Sequence, residues 1–239
     1  MSHQALNNVI HKDIKIITER HANYGDNQSL AHVFPIEFAQ LQNDFPILLK
    51  RNNQGDAYEF VVLMGFEKDQ NLFLSNNQWL ADSVPLTLEK GPFLIGFEMQ
   101  MEQGVPVETP VLHIDVGHPR VNHSEGEALF LPHGGNTEYL ERINSILMAI
   151  YQGHQQSQQF ISLLEKHQLI EPLSLNITFK NGDKKNLTGL FTINEERLPS
   201  LSGSDLSEFH QHGFLSSIYM MLASLPNIKK LVTLKNQQD

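Results

Sequence analysis

The sequence contains no cysteine, which excludes disulfides, thiolate metal sites and cysteine nucleophiles together. It is also poor in positive charge. Its 17 Lys and Arg stand against 27 Asp and Glu, giving a net charge of −10 with the histidines neutral. The cations are scattered, and the densest groups are the pairs Lys184-Lys185 and Lys229-Lys230. Phosphate neutralisation needs clustered Lys and Arg, so no nucleic-acid partner is expected. No run approaches the roughly 20 apolar residues that span a bilayer. The best of them, Phe214 to Leu225, stops at Pro226, so no membrane span is expected. The opening stretch, MSHQALNNVIHKDIKII, lacks a basic segment followed by an apolar run, and a cytoplasmic location is the expectation. There is no GxSxG elbow, no P-loop and no GxGxxG, so hydrolase and nucleotide readings have no motif behind them.

What is present is a chain with 40% hydrophobic residues, enough for a packed interior. Strand patterns recur through the first half: residues 11–18, 45–50, 58–66, 71–74, 93–101 and 111–116. The run at 58–66 is nearly all apolar, as in a strand covered on both faces. Gly96 marks a bulge or a close backbone approach, and 102–108 reads as an exposed loop. The second half opens on an amphipathic helix over 137–151, with Tyr139, Leu140, Ile143, Ile146, Leu147 and Ile150 on one face. Gly153 interrupts it, and a second helix follows over 157–167. Alternation at Leu173, Leu175, Ile177 and Phe179, then the turn Asn181-Gly182, predicts a β-hairpin over 173–193. A helix capped at Ser204 or Asp205 runs toward Leu225 and splits at Gly213; 227–235 forms a last element. The fold class is α+β: a mostly antiparallel sheet in the N-terminal half, with helices and a hairpin in the C-terminal half. The chain reads as one domain over 1–239 with a soft subdivision near 136.

Between the halves lies PVLHIDVGHPRVNHSEGEALFLPHGGNTEYL, the natural place to seek a site. In His113-Ile114-Asp115, residues two apart on a strand share a face, so His113 and Asp115 could supply two ligands of an Fe(II) facial triad. The alternative for Asp115 is structural, capping the turn at Gly117 or pairing with Arg120. His118, His123 and His133 fall in one loop region without zinc-signature spacing and read as polar loop residues. His210 and His212, two apart on a helix, do not share a face. Trp79, the only tryptophan, joins Phe73 and Phe93 as core aromatics or forms a rim for an extended peptide. The candidate contact surfaces are the Trp79 region and the 117–135 loop, with His118, Arg120 and His133.

Several short stretches together, in this order, resemble the bacterial SapC family. They are Phe45-Pro46-Ile47, Leu63-Met64-Gly65, Asn71-Leu72-Phe73 with Trp79, Pro92-Phe93, and Gly126 through Phe130. The series continues with the 136–140 helix start, Leu169-Ile170-Glu171-Pro172, Gly189 through Glu195, and Gly213-Phe214-Leu215. Where SapC-like sequences carry an Arg and an aromatic before the Pro-Phe pair, this chain has Lys90 and Gly91. The resemblance implies an accessory role in a Gram-negative bacterium and names no reaction. The reading is therefore an accessory or binding protein acting through protein or peptide contacts, with an Fe(II)-dependent oxygenase-like enzyme using His113 and Asp115 as the rival.

Overall fold

A computed structural model describes residues 2–102 and 105–238. In chain order the elements are β1 (His3–Ala5), β2 (Lys15–Ile16), β3 (Leu30–His32), α1 (Phe38–Leu41), β4 (Ile47–Arg51), β5 (Tyr58–Leu63), β6 (Leu74–Ser75), β7 (Gln78–Trp79), α2 (Leu86–Glu89), β8 (Phe93–Glu102) and β9 (Val105–Asp115). Then come β10 (Val121–Asn122), β11 (Glu127–Ala128), α3 (Glu138–Lys166), β12 (Ile170–Thr178), β13 (Lys184–Ile193), α4 (Gly203–Gln211), α5 (Phe214–Ser224) and α6 (Asn227–Gln238). The class is α+β, and every strand pair is antiparallel.

The largest sheet has the order β12-β13-β4-β5-β3, so the C-terminal hairpin joins the N-terminal strands through β13 and β4. Phe60, Val61, Val62 and Leu63 of β5 are all buried, which is why that strand reads as an unbroken apolar run. α1, α5, α6 and the second half of α3 complete this core through Phe38, Ile218, Leu231 and Phe160. A second core gathers Ile14, Ile16, Phe93, Ile114 and Leu129 beneath Leu140, Ile143, Ile146 and Leu147 of α3. One helix thus contributes to both cores.

That helix corrects the sequence reading. α3 runs unbroken for 29 residues, where a break at Gly153 was expected. Gly153 is a contact point and not a terminator. A Cβ built there would lie 2.6 Å from Phe34 Cβ, so the missing side chain lets the helix sit against the segment ahead of α1. Thr137 caps the first turn, accepting from the Leu140 N–H at 3.3 Å. The later helix does split at Gly213, whose φ of 75° ends α4 and admits α5. Its cap is Ser202, two residues before Ser204, in a reciprocal pair with Asp205.

The strands at 11–18 and 71–74 shrink to the short β2 and β6. The largest difference is at 102–108, read from sequence as a loop. β8 and β9 instead pair from Phe93↔Ile114 out to Glu102↔Val105, forming a long arm; Gln103 and Gly104 lie outside the described residues. Gly96 is the predicted close approach: a Cβ there would meet the His113 ring at 2.6 Å.

Candidate functional site at the base of the β8–β9 arm

The segment after β2 turns through Tyr24-Gly25-Asp26 and carries Asp26 into the interior, where it is 2% exposed. A buried carboxylate must be compensated, and three donors do this. Arg120 Nη2 donates at 2.5 Å, Arg20 Nη1 at 3.1 Å and the His21 N–H at 2.8 Å. Arg120, itself 4% exposed, also donates from Nη1 to the Ile17 and Glu19 carbonyls, both at 2.7 Å. It thereby ties the 117–135 loop to the chain beyond β2. Arg20 reaches the Leu88 carbonyl at 3.2 Å and lies 5.9 Å from the Trp79 ring, while Arg120 lies 5.3 Å from the Tyr24 ring.

This network forms one wall of a cavity of about 320 Å³, lined also by Lys90, Gly91, Pro92, Leu94, Asp115 and His118. Lys90 is half-buried and donates to the Phe93 carbonyl at 3.2 Å. No ion pair involves it among the described residues, and burial holds its ammonium below the ordinary lysine pKa. The His118 pKa is also lowered, first by burial and then by the Arg120 charge, which favours the neutral ring. Its Nδ1 accepts from the Arg120 N–H at 3.1 Å, leaving Nε2 as the protonated, donating nitrogen.

Of the residues singled out in the sequence, His118 and Arg120 meet in this cavity. Trp79 does not line it. That side chain is half-buried against Phe45, with its indole N–H donating to the Ser83 carbonyl at 2.9 Å, and it touches the network only through Arg20. His133 lies exposed on the 131–135 turn, outside the cavity. His113 covers Gly96, and Asp115 does what its structural alternative anticipated. Its Oδ1 accepts from the Gly117 N–H at 3.1 Å and the Ser2 N–H at 3.3 Å. Partial burial pushes the Asp115 pKa upward, but these two N–H groups and the nearby positive charges outweigh it and hold the carboxyl below its ordinary range. Among the described residues, no three His, Asp or Glu side chains are grouped to hold a metal ion.

The SapC family model matches residues 6–231 of the 239. The chain belongs to the SapC family. No curated protein and no solved structure matches it. In this SapC chain, Lys90 and Gly91 both line the cavity. The resemblance drawn from the sequence was the one signal for Lys90. Asp26 and Arg20 gave none, since both sit in a polar loop whose partners are distant in sequence.

The arm above the cavity has two unlike edges. The Asp115 N–H donates to the Pro92 carbonyl at 3.0 Å, which fixes the alternation of the ladder. Gly96 and Glu98 then turn their backbone groups toward β9, while Ile95, Phe97 and Met99 turn theirs outward. By the same alternation Pro106 and Pro110, opposite Met101 and Phe97, occupy the outward-facing positions of β9. Proline has no N–H, so the β9 edge lacks donors there. β8 carries no proline after Pro92, and no strand pairs with its outer edge among the described residues. One side of the arm is apolar. Phe93 is buried against α3, Phe97 meets Tyr151 at 5.3 Å between ring centroids, and Met99 and Met101 extend beyond, 66% and 69% exposed.

Proposed function

We propose that this SapC-family chain is a cytoplasmic accessory protein that works through contacts with a protein or peptide partner, and that the partner docks as an extended segment along β8. The observation that carries this reading is the asymmetry of the arm: prolines remove donors from the outer edge of β9, while β8 keeps an open row of N–H and C=O groups beside exposed Phe97 and Met99. Strand addition supplies affinity through main-chain hydrogen bonds and selectivity through alternate side chains. Phe97 and Met99 would provide the apolar contacts, as methionine adapts to varied partners.

The test uses peptides selected from a random display library against the full chain. Met99→Pro removes one outward N–H and none of the β8–β9 ladder donors, whereas Met99→Ala keeps the N–H and removes the side chain. Proline is expected to weaken binding tenfold or more, and alanine to weaken it less. An unchanged affinity in the proline variant, or no enriched peptide, would remove the basis for the reading.

A further inference from the structure

Arg120, Lys90, Asp26 and Asp115 line the cavity at the base of the arm, and Arg20 stands behind Asp26 without lining it. Arg20 and Arg120 share Asp26, and Asp115 stands at the wall with its Oδ1 held by Gly117 and Ser2. Lys90 is left over. Its ammonium has one hydrogen bond, to a carbonyl, and no carboxylate within ion-pair distance among the described residues. Lys90 is thus the one lining Lys or Arg without a carboxylate partner among the described residues, inside a protein whose net charge is −10. A partly buried ammonium without a counter-charge is costly unless a ligand supplies one. The rest of the wall is mixed: Leu88, Pro92 and Leu94 are apolar, and the neutral His118 ring offers a donor. A volume of about 320 Å³ lies at the small end of ligand pockets.

From this we infer that the cavity binds a single carboxylate group with a short apolar body, its charge set against Lys90. A single unpartnered ammonium matches a monoanion better than a phosphate dianion, which the net charge of −10 repels more strongly. Two sources share this chemistry, a small free acid and the C-terminus of a peptide. The second rests on β8 as a docking edge and fixes a direction. Lys90, Pro92 and Leu94 stand where β8 begins, so a peptide ending in the cavity runs antiparallel to β8.

The probes are acetate, N-acetylalanine, N-acetylalaninamide and inorganic phosphate, titrated into the full chain by calorimetry. The His118 ring resonances serve as a local reporter. N-Acetylalanine is expected to bind at least tenfold more tightly than its amide, and acetate to shift the His118 signals. Lys90→Met, which removes a desolvated charge and is expected to fold, should erase the tenfold preference. Equal binding of acid and amide, phosphate binding without acetate binding, or a preference that survives Lys90→Met would each overturn the inference; in the last two cases the His118 signals show whether the ligand sits in the cavity. Acetate and N-acetylalanine binding as expected, with no peptide docking on β8, would support the cavity as a small-acid site while the strand-addition reading fell.

Discussion

Replacing Asp26 with alanine is expected to destabilise the protein by about 3–5 kcal/mol, because it leaves a buried guanidinium without its counter-charge. Arg120 is 4% exposed and cannot turn to solvent without releasing the Ile17 and Glu19 carbonyls, so it stays charged and uncompensated. Arg20 and the His21 N–H lose the same acceptor. Asp26→Asn tests the charge separately from the shape. It keeps one acceptor oxygen, but the other becomes an amide facing donors, and it should recover only part of the loss. The pair Arg142–Glu89, at 3.1 Å with Arg142 60% exposed, is the control. Breaking it by Arg142→Ala should cost no more than about 1 kcal/mol, since solvent screens exposed pairs. Urea unfolding of the three variants at pH 7 measures all of this. An Asp26→Ala loss no larger than that of Arg142→Ala would mean that the interior network does not hold the loops together.

A second large effect belongs to Glu37, in the 3₁₀ turn ahead of α1. Its carboxylate is 4% exposed and accepts from the N–H groups of Phe34 and Leu86, both at 2.9 Å. Burial outweighs these two hydrogen bonds and raises its pKa from 4.5 to about 7. Between those values the folded chain holds a proton that the unfolded chain has released. The associated stability is therefore fully present below about pH 4.5 and is lost as pH rises through 7, a change of about 3 kcal/mol. His32 and His118, with pKa values lowered mainly by burial, act in the opposite direction, so the comparison must be differential. The stability of the wild type minus that of Glu37→Gln should fall by about that amount from pH 4.5 to pH 8. A difference independent of pH would contradict the assignment, whatever the absolute stability of the glutamine variant.

How far these features could be read from sequence depended on whether their cause was local. The β5 run, the Asn181-Gly182 hairpin and the Gly213 split are written in periodicity and turn chemistry, and the structure places them as expected. The β8–β9 arm was read too short, across a stretch that holds Pro106 with Pro110 just beyond it. They are tolerated because each falls at an outward-facing position, a matter of register that the sequence does not display. Gly153 was misread for a similar reason: what decides its role is Phe34, more than a hundred residues earlier. Arg120 was legible as a candidate, but Asp26, 94 residues away, was not. Asp115 was legible as the cap of the turn at Gly117, and its Oδ1 accepts from the Gly117 and Ser2 N–H groups.

Amide hydrogen exchange on the chain with and without a selected peptide tests whether β8 presents an open edge to an extended partner. Strand addition predicts that the outward N–H groups of Ile95, Phe97 and Met99 slow at least tenfold on binding. The inward N–H groups of Gly96 and Glu98, already bonded within the arm, should change far less. A peptide that binds while Ile95, Phe97 and Met99 exchange as they do in the free chain would contradict the claim.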